Sequence, residues 1–301
     1  MTVGRLTAGF LAAGFLAAAV GTVTLHAASP PGPTPEPASL AAPVAATWPA
    51  APVGTPTPRP TIAAGPKPAA GARSALGAPV RIVTLGDSVA AASACSCPGF
   101  AHVLAHPKGS AAGPAGLTNA ARDGLTSQGL LAQLDEPAVS SALRGATLVT
   151  ITIGANDFDA DRASDPTCGG GADTDCYVPA LQRLSDTLHA VTARLTQLAG
   201  PQATIAITGY WNIFLDGQVG ARRGPTYVAT SDALTRQVNQ RLSAAAADSG
   251  AVYVDLYTPF KADGSRDDTA LLADDGDHPD ESGHQVIATA IARAAPLAIP
   301  V

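Results

Sequence analysis

Lysine is almost missing from this chain of 301 residues, where it occurs only as Lys67, Lys108 and Lys261. No basic run exists to neutralise phosphates and the net charge is −6, so nucleic acid is excluded as a partner. Aromatic residues are scarce at 4%, which makes the cluster Tyr210, Trp211 and Phe214 conspicuous. Cysteine is limited to four residues and none precedes Cys95, which argues against a lipid-modified cysteine near the amino terminus. No glycine-rich phosphate fingerprint follows the first strand-like run, so a nucleotide-binding role has no support. What is plentiful is apolar side chain: 46% of residues are hydrophobic, enough to build a sizeable core.

The first quarter of the chain is not globular in character. Residues 1–28 read as a secretory signal peptide, with Arg5 as the positive amino end, Leu6 to Val23 as the apolar run and small residues near Ala27 and Ala28 as a cleavage site. An uncleaved membrane anchor is the alternative, because the run approaches spanning length. Residues 29–79 are rich in Pro, Ala and Thr, as in Pro-Thr-Pro-Glu-Pro at 33–37, and are expected to form a disordered linker that cannot bury enough apolar surface to fold. Such a spacer could hold a folded domain near a membrane or through a cell wall. Residues 80–297 are then a single α/β domain, expected outside the cell or at its surface, and expected to be a monomer.

Within that domain strand-like and helix-like patterns alternate. Strands are expected at Val80–Leu85, near Leu117–Asn119, at Thr147–Ile153, Thr204–Thr208 and Val252–Leu256. One helix places Leu181, Leu184, Leu188, Val191, Leu195 and Leu198 on one face, a second carries Leu234, Val238 and Leu242, and the last runs over 281–294 with Val286, Ile287, Ala290 and Ile291 inward. This alternation implies βαβ units and a parallel sheet. The four cysteines suit an oxidising compartment and allow three pairings; Cys168 with Cys176, bracketing a short Gly/Asp-rich loop, and by default Cys95 with Cys97 are expected. Neither spacing is that of a zinc finger, and no metal is expected.

In a parallel sheet the loops at the carboxyl ends of the strands share one edge, where ligands bind. Here those loops carry Gly86-Asp87-Ser88, Asn119 through Gly124, Gly154-Ala155-Asn156-Asp157, Tyr210-Trp211-Asn212 and Asp274 through His278. A hydroxyl, glycine backbone, an amide and an Asp/His pair are the components of acyl transfer. Each has a plainer reading: Ser88 as a helix cap, Asn119 and Asn156 as turn residues, Asp87 and Asp157 as loop braces. His278 and His284 with Asp274, Asp275 and Asp277 could gather round a metal, but without a recognisable ligand spacing. Asp157, Asp159 and Asp161 mimic the opening of a calcium loop that Arg162 and Cys168 then contradict. Gly86-Asp87-Ser88-Val89-Ala90 misses the G-x-S-x-G elbow by one residue.

Taken together, G-D-S at 86–88, N-A-A-R-D-G at 119–124, G-A-N-D at 154–157 and D-G-D-H at 275–278 resemble the four blocks of the SGNH hydrolases, also called GDSL esterases and lipases. The resemblance implies a three-layer α/β/α sandwich with a five-stranded parallel flavodoxin-like sheet. It also implies a serine hydrolase that cleaves carboxylic esters through an acyl-enzyme, with no cofactor, and the expected signal peptide makes it a secreted one. Ser88 would be the nucleophile, His278 the base and Asp275 its orienting acid, while the Ser88 and Gly124 backbone N–H groups and the Asn156 amide would form the oxyanion hole. The substrate would be a lipid, an acetylated glycan or a small ester. Trp211 and Phe214 are expected to line its pocket or to pack beneath it. The alternatives are a non-catalytic cell-surface binding module on the same fold and an acyltransferase or deacetylase acting on polysaccharide.

Overall fold

Runs of β-branched and aliphatic residues, buried on both faces, form the centre of the domain. The computed structural model describes residues 80–107, 114–168 and 173–295. The expected signal peptide at 1–28, the linker at 29–79 and the last two positions of the expected domain lie outside the described residues. Five strands, β1 (Arg81–Gly86), β2 (Gly116–Asn119), β3 (Leu148–Thr152), β4 (Thr204–Thr208) and β5 (Val252–Val254), form one sheet in the order β2-β1-β3-β4-β5. All four pairings are parallel, as continuous apolar runs separated by helices require. Every residue of β3 is buried, and the hydroxyls of Thr84 and Thr150 satisfy each other across the sheet at 2.9 Å.

Helices cover both faces of the sheet, as the expected three-layer sandwich demands. The short α1 (Ser88–Ala91) and α2 (Phe100–Ala105) follow β1; α3 (Ser127–Gln133) and α4 (Pro137–Leu143) follow β2. Then come α5 (Val178–Ala199), α6 (Gly217–Ala221), α7 (Pro225–Ser249), α8 (Tyr257–Lys261) and α9 (Glu281–Ala294). Helix α5 packs against α3 and α7, while α2 and α8 pack against α9. The expected seam of α5 is buried from Leu181 to Leu195, with Leu198 only half-buried as the helix leaves the core. Gly250 closes α7 in the left-handed conformation with φ 74°, which costs a glycine little.

Three expectations needed adjustment. Strand β1 extends to Gly86, whose φ of 124° keeps it paired with Thr152 where a side chain would strike the Thr152 carbonyl. Strand β5 ends at Val254, because the Asp255 carboxylate accepts from the Tyr257 N–H at 2.8 Å and turns the chain into α8. On α9 the inward stripe is Gly283, His284, Ile287, Ala288 and Ile291, so Val286 and Ala290, expected inside, are half-buried at its edge. No helix among the described residues is long and apolar enough to cross a membrane.

Candidate active site

The register that pairs Gly86 with Thr152 and Thr84 with Asn119 brings the loops after β1, β2 and β3 to one edge. Ser88 opens α1 there. Asp87 caps that helix, accepting from the Val89 N–H at 3.1 Å. Ala92, at φ 59°, ends the helix after one turn, so α1 offers backbone N–H groups rather than a long summed dipole.

The loop between Leu272 and Pro279, closed by an antiparallel bridge, carries the acid and the imidazole. The His278 Nε2 atom lies 2.8 Å from Ser88 Oγ, and its Nδ1 atom lies 2.8 Å from Asp275 Oδ2. An ionised Asp275 only accepts, so the proton sits on Nδ1 and Nε2 is left to accept from the serine hydroxyl. The other carboxylate oxygen of Asp275 accepts from the N–H groups of Asp277 at 2.9 Å and His278 at 3.0 Å. Partial burial works to raise the Asp275 carboxyl, but these hydrogen bonds outweigh it and hold the group below its ordinary value.

The other expected residues divide between the cavity and the loops around it. Asn156 borders the cavity at Ser88, and its Nδ2 donates to the Leu125 carbonyl at 3.2 Å, tying the loop after β3 to the one after β2. Gly124, at φ 67°, occupies an exposed turn just before Leu125 and is not among the cavity's lining residues. Asn119 bonds the Ala90 carbonyl at 2.9 Å and the Ala121 N–H at 3.0 Å, joining its turn to α1. Asp157 braces α3 through the Ser127 N–H at 3.0 Å and hydroxyl at 2.7 Å. Trp211 and Phe214 border the cavity of about 170 Å³ but are themselves buried, with Trp211 stacked on Phe260 at 4.4 Å between centroids. They form its floor and its packing at once.

The sulfurs of Cys95 and Cys97, and those of Cys168 and Cys176, are at bonding distance, matching the expected pairs. His284 does not join His278 in a donor cluster; it is fully buried, and its Nδ1 accepts from the Phe100 N–H at 3.3 Å. Its nearest possible metal-ligand neighbours are Cys95 and Cys97, which are paired with each other.

Two contributions escaped sequence reasoning. Tyr210 donates its hydroxyl to the buried Asp87 carboxylate, which also accepts from Thr152 Oγ1 at 2.9 Å. Burial and the adjacent Asp87 charge push the Tyr210 hydroxyl well up, so it stays a donor. Phe158 closes one wall of the cavity. The strand-end position of Tyr210 was the one available signal, and it named no partner.

A family model described as "GDSL-like Lipase/Acylhydrolase family" matches residues 84–286. Among solved structures, an extracellular lipase from Streptomyces rimosus is 22% identical, with a TM-score of 0.53, and the match covers 72% of this chain and 100% of that one. A phospholipase A1 from Streptomyces albidoflavus NA297 is 21% identical over 72% and 100% of the two chains, with a TM-score of 0.52. A catalytic mutant of an acetylxylan esterase from Geobacillus stearothermophilus is 19% identical over 73% and 95%, with a TM-score of 0.51. No curated protein matches the chain. At these identities the structural likeness establishes the fold.

Proposed function

The chain belongs to the GDSL-like lipase/acylhydrolase family, whose members hydrolyse esters, and from that premise we propose that it is a secreted serine esterase working through an acyl-enzyme on Ser88. The observation that carries this reading is the continuous hydrogen-bond chain from Ser88 Oγ through the His278 ring to Asp275, with 2.8 Å at each link. A serine hydroxyl is a weak nucleophile until an adjacent base takes its proton. His278 Nε2 takes that proton as Ser88 Oγ attacks the ester carbonyl, and Asp275 stabilises the imidazolium that results. His278 then returns the proton to the departing alcohol. Water, deprotonated by the same imidazole, attacks the acyl-enzyme and releases the acid.

We assign the negative oxygen of the tetrahedral intermediate to the Ser88 N–H and the Asn156 amide, which border the cavity, with the Gly124 N–H on the exposed turn beyond its lining as the third donor that the family resemblance implies. The amide supports this role because one of its N–H bonds is spent on Leu125 and the other has no partner among the described residues. Two cysteine pairs at bonding distance support an oxidising, extracellular setting.

Ser88→Ala tests the assignment. Hydrolysis of p-nitrophenyl butyrate is expected to fall by at least ~10³-fold with the melting temperature nearly unchanged, and residual activity near wild type would refute the nucleophile. Labelling by a fluorophosphonate distinguishes the esterase, which reacts at Ser88, from a binding module, which does not.

A further inference from the structure

Beyond Ser88 and Asn156, the cavity is bordered by Asn212 and Asp277, two polar side chains with hydrogen-bonding capacity that no partner among the described residues takes up, and by Trp211, whose buried Nε1 is likewise unpartnered. Asn212 is 3% exposed, and its Oδ1 is held by the Phe214 N–H at 3.1 Å, the Ser231 hydroxyl at 2.6 Å and the Thr235 hydroxyl at 3.2 Å. The backbone donor settles which end of the amide is oxygen. Its Nδ2 has no hydrogen-bond partner among the described residues, although the side chain borders the cavity. Asp277 borders the same cavity; its backbone N–H is taken by Asp275, and its carboxylate accepts no hydrogen bond among the described residues. Burial pushes the Asp277 carboxyl up, against the pull of the neighbouring His278.

Asn212 is buried and Asp277 half-buried, and both border one small cavity whose apolar lining includes Phe158, Trp211 and Phe214, so a donor and an acceptor are open to a ligand there. An ammonium could satisfy Asp277 but has nothing to offer Asn212, and a carboxylate would be repelled by Asp277. A hydroxyl both donates and accepts. We propose that Asn212 and Asp277 form a hydroxyl-recognising subsite, the Nδ2 amide donating a hydrogen bond to the substrate hydroxyl oxygen and the carboxylate accepting one from its O–H, so that the enzyme selects esters bearing a free hydroxyl. This rests on the esterase reading above and adds the substrate class.

Matched ester pairs that exchange a hydroxyl for a methyl test it on the full chain. On the acyl side the pair is p-nitrophenyl 3-hydroxybutyrate and p-nitrophenyl 3-methylbutyrate; on the alcohol side it is 2-hydroxyethyl butyrate and propyl butyrate. In one arm kcat/KM is expected to favour the hydroxyl ester by at least ~10-fold, since sites built to bind a hydroxyl reject its absence by as much as ~10⁴-fold. Asp277→Leu, and Asn212→Asp, which keeps the acceptor used by Phe214, Ser231 and Thr235, should bring that ratio close to one. Ratios near one for wild type in both arms, with all four esters hydrolysed, overturn the proposal. So does an equal slowing of both members of a pair in Asp277→Leu, which would mean that the carboxylate acts through His278. Protection of wild-type Ser88 from a fluorophosphonate gives a readout independent of the variants: butane-1,3-diol should slow labelling where butan-1-ol does not, and equal effects count against the subsite. Loss of the esterase reading looks different, with neither ester turnover nor labelling of Ser88, and the subsite falls with it.

Discussion

Asp87 sits one residue before Ser88, almost wholly inside the protein, and accepts from the Val89 N–H, the Thr152 hydroxyl and the Tyr210 hydroxyl. Burial nevertheless pushes its carboxyl up to about 6. Between about pH 4 and 6 the folded protein holds a proton that the unfolded chain has released, so this group favours folding on acidification, and its ionisation above that window costs on the order of 3 kcal/mol. His284 has the opposite sign: burial pushes its imidazole down to about 4, while an unfolded imidazole takes up its proton near 6.5, so stability is lost as pH falls through that interval. The two effects offset each other in the wild type. Asp87→Asn removes only the first, and its melting temperature is expected to drop more steeply than that of the wild type between pH 6.5 and 4.5; parallel curves would show that Asp87 is ionised throughout. At the neighbouring loop, Asn156→Ala is expected to lower kcat by ~10²–10³ with little change in KM, and a kcat near wild type would remove it from the oxyanion hole.

The loop that carries Asp275 and His278 is held by helices that do not border the cavity beside Ser88. The Asp216 N–H donates to the Gly276 carbonyl at 2.7 Å, and Val219 of α6 leaves no room for a side chain at Gly276. Asp216 in turn is fixed by Lys261 at the end of α8, with Nζ to Oδ2 at 2.5 Å and side-chain exposures of 6% and 10%. Burial and the neighbouring Asp216 charge raise the Asp268 carboxyl to about 7, so Lys261 is the cation that makes this acidic corner tolerable. Lys261→Met leaves Asp216 buried without its counter-ion. It is expected to cost about 3–5 kcal/mol in denaturant unfolding and to lower kcat more than it raises KM, because the loop loses its anchor. A stable variant with normal kcat would show that the loop holds itself. The aliphatic seam of α5 was legible in the sequence, because leucines repeated over five turns leave one face to choose. The inward face of α9 was read a step away from its true position, because alanines on all sides leave the face to be decided by which neighbour, α2, it meets.

At the scale of the whole domain, chain closure and topology matter together. The Cys168–Cys176 bridge closes a nine-residue loop between β3 and α5. In the loop-entropy account such a bridge contributes about 2–3 kcal/mol, so a Cys168→Ser and Cys176→Ser double variant is expected to melt several degrees lower, and an unchanged melting temperature would show that the bridge contributes nothing in solution. Strand positions, parallel pairing and the sheet edge could be read from the sequence, since β-branched runs alternating with helices admit few topologies. The grouping of Ser88, Asp275, His278 and Asn156 was legible from four short blocks of loop residues. The sequence by itself determined the element order, the edge at which the loops meet and the chemical types present there, because periodicity and turn chemistry are local. Only the tertiary structure decided that Tyr210 serves Asp87, that Asp216 and Lys261 hold the histidine loop, and that Asn212 and Asp277 border one cavity, where the Asn212 Nδ2 and the Asp277 carboxylate have no partner among the described residues. Those relations join residues 45 or more positions apart in each braced pair. No local rule reaches across such a distance; packing alone brings the groups into contact and withdraws water from them.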